Sequence, residues 1–439
     1  MSIDEYGRFD VVVVGSGAAG SSAAIASARA GANTLLIEKL PFLGGNSTAV
    51  LDTFYGFYTP GDRALKVVGG VGDEVVAGLR SLGEVIERPN TYGAGTGLTY
   101  LAEHLKVAWE TLVRESGSTV LLHAFVQAVE VADGKVTGLL VATKAGLQRV
   151  SAEVVVDASG DADICHQAEF GYEAAGTLDP AQTLTTTFRM ANVDHTARAT
   201  VGKDELHALM AAAAESGEYD LPRREGSDHL TPIDGVIATV MTRVDHAGGN
   251  PPRSAADPEV LTRAEMEGRR QALEYARFLV DRVPGYESAS LVALSTQIGV
   301  RETRRVYGDY RLTREDVLTA QQFDDQIGLY GAPIEDHHGR GGTGTTWKYL
   351  QNGTAVGIPM RTLIVRDSVN VLAVGRCFSA THDAQASVRS MAQCMAMGHA
   401  AGVAAGLAVQ SNSGLRDVPV SAIRDRLRAA GAVLEVPAG

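Results

Sequence analysis

Apolar positions along the chain follow three patterns, and each predicts a different element. Short unbroken runs occur at Val11 to Val14, at Thr34 to Ile37, at Val154 to Val156 and within Val369 to Val374. Runs this short and this β-branched, ended by glycine or an acidic residue, predict strands covered on both faces of a parallel sheet. A second rhythm spans Val120 to His123, Ala128 to Val131, Val136 to Ala142 and Gln148 to Val150. It predicts an antiparallel meander, turned at Asp133-Gly134. Helices are expected over Ala18 to Ala30, Leu98 to Glu115, Thr262 to Val283 and the apolar stretch Met391 to Val409. Leu51 to Gly97 reads as a loop, and Glu335-Asp336-His337-His338 as polar chain outside any strand.

The first run opens directly into Gly15-Ser16-Gly17-Ala18-Ala19-Gly20, and Glu38 closes the second. Gly15 permits a tight turn, Gly17 lets the backbone approach a pyrophosphate, and Gly20 lets the following helix pack closely on the strand. The helix N-terminus faces the phosphates, Gly31 is a left-handed cap, and Glu38 can accept hydrogen bonds from ribose hydroxyls. A second match, Gly339-Arg340-Gly341-Gly342-Thr343-Gly344, follows polar residues rather than a strand and reads as a loop. One dinucleotide unit therefore remains, with NAD and FAD both open. Because buried-strand language returns at residues 369–374, the chain reads as an α/β protein with a discontinuous nucleotide domain. Residues 1–163 and 345–439 form a Rossmann-like domain of parallel sheet plus β-meander, and residues 164–344 an inserted α+β substrate or cap domain.

Composition narrows the partners. The 439 residues are enough for two or three domains' worth of structure, and the net charge of −13 repels nucleic acid and anionic membranes. Met391 to Val409 is long enough to suggest a membrane span, but Gln393, His399, the glycines and many alanines suit a buried helix better. Cys165, Cys377 and Cys394 form no close pair, which excludes a redox disulfide and fits a reducing cytoplasm. The expected partner is a small-molecule substrate, with no nucleic acid or membrane, and a homo-oligomeric state is left open. No cluster has metal-ligand spacing.

Several segments in order resemble the FAD-dependent oxidoreductases of the glutathione-reductase-like superfamily, close to fumarate reductase flavoproteins. They are the N-terminal unit with Glu38, the turn Gly44-Gly45-Asn46-Ser47-Thr48, and the strand end Val154 to Asp161. To these belong Gly299-Val300-Arg301-Glu302-Thr303-Arg304-Arg305 and Val374-Gly375-Arg376-Cys377-Phe378-Ser379-Ala380-Thr381-His382, running into Ala386-Ser387-Val388-Arg389. The resemblance implies FAD as the cofactor. It implies cofactor contacts from Gly15, Ser16, Gly17, Ala18, Ala19, Gly20, Glu38 and Lys39, and from Gly44, Gly45, Asn46, Ser47 and Thr48. Val126 would meet the adenine, Ala158, Ser159, Gly160 and Asp161 would line the nucleotide, and Gly375, Arg376, Ser387 and Met391 would approach the flavin. Asn46-Ser47-Thr48 stands where related membrane-bound enzymes carry a flavin-linking histidine, which favours noncovalent FAD. Gly375-Arg376 departs from the Gly-Asp usual in flavin hydroxylases.

Flavin chemistry needs a proton-moving group and often a cation for an acidic substrate. His382 is a candidate for proton transfer or substrate binding, against a structural histidine bonding loop backbone. His337, His338 and Arg340 belong to a solvated loop or a catalytic lid. On a strand, Arg301 and Arg305 would share a face and Arg304 would oppose them, so one face could clamp a carboxylate. Ordinary pairing with Glu302 is the alternative, and Arg389 competes for the anion. Asp157 and Asp161 suit turn and cofactor hydrogen bonds. The expected activity is hydride transfer between a small organic substrate and noncovalent flavin, as dehydrogenase, reductase or oxidase. The rivals are a flavin monooxygenase and an electron-relay subunit.

Overall fold

A computed structural model describes residues 3–246, 253–338, 344–351 and 353–436. Its central sheet contains β1 (Asp4–Val14), β2 (Thr34–Ile37), β3 (Thr119–Leu121), β4 (Phe125–Ala132), β5 (Lys135–Thr143), β6 (Gly146–Asp157) and β7 (Val371–Ala373). β3, β2, β1 and β6 lie side by side in parallel, and β7 joins the end of β6, also in parallel. β4 and β5 continue antiparallel from β6 as the expected meander. Asp133 and Gly134 both take positive φ, 49° and 73°, as a two-residue hairpin turn requires. The two apolar runs expected at Gln148 to Val150 and Glu153 to Asp157 are one continuous strand.

Alternation along the strands explains why their runs are unbroken. Val11 and Val13 pack into a core with the helices α1 (Ala18–Arg29) and α2 (Met391–Ser411), while Val12 and Val14 pack into a second core on the other face. α2 has the length and apolarity of a membrane span, yet 83% of its most apolar window is buried inside the fold.

Between the two ends of the sheet lies a separate antiparallel layer, in the order Ser227–Leu230, Ile237–Val240, Phe188–Ala191, Ser290–Leu294. Phe188, Met190 and Ile237 on its strands share a core with Met210 and with Tyr275, Phe278 and Leu279 of the helix Pro258–Arg282. Two expectations need correction. Residues 51–97 are not a continuous loop: they hold the helix Val71–Leu82, whose buried Val71, Val75, Val76 and Leu79 form one face, and three short paired strands. Ile334–His337 is a strand, not loop, and pairs with Thr345–Lys348 in a hairpin that straddles position 344.

Candidate active site

One cleft of about 410 Å³ brings the distant segments together. Of the cofactor residues expected from sequence, all except Gly20 and Thr48 line it. Those two shape the cradle from behind. A Cβ on Gly20 would lie 1.8 Å from the Gly15 carbonyl oxygen, and Thr48 Oγ1 donates to the Leu43 carbonyl at 2.7 Å. The Gly44 amide donates to the Ser16 carbonyl at 2.8 Å, fastening the second turn to the glycine loop. Glu38 is buried, and its carboxylate accepts from the Ser16 amide at 2.8 Å, the Ser16 hydroxyl at 2.6 Å and the Leu40 amide at 2.8 Å. In this structure it therefore also fixes the shape of the loop.

The residues present fit a dinucleotide. A Cβ on Gly17 would meet no atom within 4 Å, so the loop opens onto the cleft there. α1 and α2 both begin at the cleft without a side-chain cap, leaving their first amides for an anion or a carbonyl. Arg376 lines the cleft and is fixed there by Asp161 at 2.7 Å and by the Gly160 and Val300 carbonyls, both at 2.9 Å. Burial opposes ionisation of Asp161, but Arg376 and Thr303 outweigh it and lower its pKa. Asp157 accepts from the Ser159 and Cys165 amides and serves the turn.

The candidates for chemistry divide sharply. Arg301 and Arg389 line the cleft. Arg301 donates to the Thr183 carbonyl at 2.6 Å and Thr185 Oγ1 at 2.8 Å, and Arg389 donates to Gln182 Oε1 and the Glu335 carbonyl, both at 3.1 Å. Neither forms an ion pair among the described residues. Both stay partly accessible from the cleft, yet the protein packed around them pushes both guanidinium pKa values down, helped for Arg301 by Arg389 itself. The strand reading of 301–305 fails, because only Arg304–Val306 is a strand. Arg305 turns into the interior against Glu173 and Glu302 and shares nothing with Arg301.

His382 does not reach the cleft. It begins the helix His382–Val388, with Nδ1 3.0 Å from Glu302 and Nε2 3.1 Å from Asp336, so both ring nitrogens are occupied by carboxylates. His338 also lies off the cleft, with Nε2 2.8 Å from Thr346 Oγ1. Arg340 lies outside the described residues.

Several cleft residues were not singled out for chemistry from sequence: Asp52, Tyr55, Arg88, Tyr92, Arg223, His229 and Glu335 all line it, and so does His337, expected in a solvated loop or a lid. His337 Nε2 is 2.8 Å from Glu335 and its Nδ1 3.2 Å from Thr345 Oγ1. Burial and Arg301 hold His337 well below the usual histidine range, so the neutral ring donates to Glu335 and accepts from Thr345. Burial opposes the charge on Glu335, but His337, Arg389 and Arg301 bring it down to about 2. From the antiparallel layer, His229 Nε2 lies 2.8 Å from Asp52 Oδ1. The helix Val71–Leu82 could have been found from the spacing of Val71, Val75, Val76 and Leu79. Nothing local marks Asp52 or His229.

Asp163, at the nucleotide end of the cleft, gives a pH test. Burial and the neighbouring Asp161 and Asp157 carboxylates push its pKa from 3.8 up to about 6, against Lys39 and Arg304. Between those values the folded protein keeps a proton that the unfolded chain has released. Folding then takes up a proton, so the stability contribution of Asp163 falls as pH rises through this window and stays low above it. Asp163→Asn is expected to leave stability unchanged in acid and to raise it by on the order of 2 kcal/mol above the window, read by urea denaturation across pH. An equal change at every pH would contradict this.

Residues 10–427 match the family model described as FAD dependent oxidoreductase. A fumarate reductase (cytochrome) of Shewanella frigidimarina is 47% identical over 58 residues, 13% of this chain and 10% of that protein. A 3-oxosteroid 1-dehydrogenase of Mycobacterium tuberculosis is 37% identical over 112 residues, 23% of this chain and 19% of that protein. The chain thus spans at most about a fifth of the length of either relative in these matches. Among solved structures, p-nitrophenol 4-monooxygenase PnpA from Pseudomonas putida DLL-E4 aligns over 97% of this chain and 84% of its own, with TM-score 0.49 and 12% identity. A geranylgeranyl bacteriochlorophyll reductase-like protein of Thermoplasma acidophilum aligns over 98% and 83%, with TM-score 0.48 and 15% identity. With a glycine loop, a fastened second turn and two uncapped helix starts around one cleft, and a match across nearly its whole length, the chain belongs to the FAD dependent oxidoreductase family, as an enzyme that uses FAD.

Proposed function

We propose that this enzyme transfers a hydride between noncovalently held FAD and a small organic molecule bearing a carboxylate. When bound, the flavin supplies a two-electron acceptor or donor. The carrying observation is the pair Arg301 and Arg389, two guanidinium groups in the cleft wall whose hydrogen-bond partners among the described residues are all neutral oxygens. The Glu335 carboxylate acts on both from nearby, but neither has a carboxylate at ion-pair distance among the described residues, and a substrate carboxylate would supply that direct partner. Arg223 adds a third guanidinium at the same cleft, only loosely paired with Glu225 at 3.8 Å. Glu335 and His337 brace the opposite sign beside them, which favours a substrate that also offers a hydrogen-bond donor.

Noncovalent attachment is supported by the cleft's own chemistry. The turn at Gly44 to Thr48 offers only amide and hydroxyl groups, and burial pushes the Cys394 thiol up to about 12, so it is no nucleophile. Acid precipitation is therefore expected to release all the flavin.

The test of the substrate class uses malonate, an unreactive dicarboxylate, titrated into the FAD-loaded enzyme while the flavin difference spectrum is followed. Wild type is expected to respond and the neutral diamide of malonate to fail. Arg301→Gln and Arg389→Gln should each weaken malonate by about 100-fold, since each leaves a buried charge without its partner, while flavin is retained. A wild-type spectrum indifferent to malonate and to other small carboxylates would sink the reading.

A further inference from the structure

We propose that His229 is the proton-transfer group of this active site and that Asp52 sets its tautomer. The inference rests on the hydride-transfer reading above, and it concerns a residue from the antiparallel layer rather than from the nucleotide domain. Strand alternation in Ser227–Leu230 turns Ser227 and His229 to the cleft and Asp228 away from it. Asp228 is fixed on the far face by Arg198 at 2.7 Å and Tyr286 at 2.6 Å, so the strand cannot roll to present another residue.

The ring is held at one nitrogen and open at the other. Nε2 lies 2.8 Å from Asp52 Oδ1, with the side chains 7% and 6% exposed. Nδ1 has no hydrogen-bond partner among the described residues, and His229 lines the cleft. Asp52 is anchored in turn: its Oδ2 faces Arg189 at 3.4 Å, and its backbone carbonyl accepts from the Tyr100 amide at 2.9 Å. Burial opposes its charge, but His229, Arg189 and Arg88 bring Asp52 down to about 2, so an anion accepts the Nε2 proton at any working pH. That leaves Nδ1, with no protein partner, as the nitrogen of this cleft residue open to a ligand's proton.

The other histidines are excluded by their partners. His337 lines the cleft, but Glu335 and Thr345 occupy both of its nitrogens. His382 is walled in by Glu302 and Asp336. Of the described histidines lining the cleft, His229 alone keeps a nitrogen without a protein partner.

A bound flavin would supply the two-electron acceptor, taking the hydrogen and electron pair of the broken substrate C–H bond. His229 Nδ1 takes the proton from the neighbouring carbon, oxygen or nitrogen, the electron pair left behind closes the new double bond, and Asp52 balances the imidazolium. In the reducing direction His229 returns the same proton.

Two measurements on the FAD-loaded enzyme decide the matter. The first is heteronuclear NMR of histidine-labelled protein, with the His229 signal assigned by its loss in His229→Gln. The proposal expects a proton on Nε2, a bare Nδ1 in alkaline buffer, and a mixture of tautomers in Asp52→Asn. A proton fixed on Nδ1 overturns it. The second is anaerobic mixing with a panel of saturated, 2-hydroxy and 2-amino carboxylates. For any acid that bleaches the flavin, His229→Gln should slow bleaching by about 100-fold or more, with malonate affinity kept and His338→Gln, off the cleft, near wild type. Bleaching by His229→Gln at the wild-type rate, or an equal slowing in His338→Gln, overturns the proposal. If no acid bleaches the flavin, the carboxylate reading of the cleft fails, and the tautomer measurement still decides whether His229 is poised as described.

Discussion

Gly398→Val is expected to yield protein that no longer retains FAD and that melts well below wild type. The reason is the contact between α1 and α2. Gly398, Gly402 and Gly406 repeat every four residues on α2, so they share one face. That face lies directly on the backbone of α1. A Cβ at Gly398 would fall 1.9 Å from the Ala19 carbonyl oxygen, and one at Gly402 would fall 2.3 Å from the Ala23 carbonyl oxygen. No flexible side chain is there to yield, so the helices must separate. The strain and the cavity opened beside it should cost at least about 3 kcal/mol, at the upper end of overpacking effects. Function is lost with stability, because Ala19 lies in the first turn of α1, where the uncapped amides face the dinucleotide. Gly202→Ala is the control. A Cβ there meets nothing within 4 Å, and because Gly202 is the N-cap of the helix Lys203–Glu215 the change should cost no more than about 1 kcal/mol. Differential scanning calorimetry and the flavin absorbance of the purified proteins provide the readouts. Full flavin content in Gly398→Val would show that the helix contact does not set the cofactor site.

The same contact shows what could be read from the sequence. Alanine, serine and glycine on the two helices announced close backbone approach, and the apolar stretch 391–409 was for that reason separable from a membrane span. The glycine loop, Glu38 and the meander were equally legible, because each signal is carried by a run of consecutive residues or by a single strand–helix–strand unit. Local spacing did not extend to the substrate side of the cleft. Asp52 and His229 are 177 positions apart and meet only because the antiparallel layer folds over the nucleotide domain. Arg301 and Arg389 were visible as candidates, yet what distinguishes them from Arg305 is the presence or absence of a buried carboxylate partner, which depends on tertiary packing. His382 misled for the opposite reason. It follows the flavin-side strand in sequence, but the helix it begins turns its ring into the protein.

That inward ring belongs to the interaction whose loss should be most damaging outside the nucleotide cradle. Glu302→Ala is expected to destabilise the protein by about 3–5 kcal/mol, the range for stripping one partner from a buried ion pair. Glu302 is fully buried, paired with Arg305 on one side and 3.0 Å from His382 on the other. Arg305 is itself buried and shares Glu173 with Arg311, so without Glu302 two guanidinium groups would compete for one carboxylate. Glu302→Gln preserves shape and a hydrogen-bond acceptor and should cost less. His382→Gln should cost less again, about 1–2 kcal/mol, since it removes hydrogen bonds without stranding a guanidinium. The effects on binding should follow the same order. His382 hands the contact on to Asp336, the neighbour of the cleft residues Glu335 and His337, so Glu302 positions the hairpin strand that presents both to the substrate. Malonate affinity should therefore fall in Glu302→Ala while FAD stays bound, because the glycine loop and both helix starts are untouched. Unfolding midpoints and malonate titrations on the three variants test the scheme. Loss of stability with unchanged malonate affinity would confine Glu302 to the core. Loss of affinity in His382→Gln as great as in Glu302→Ala would instead place the controlling contact at Asp336.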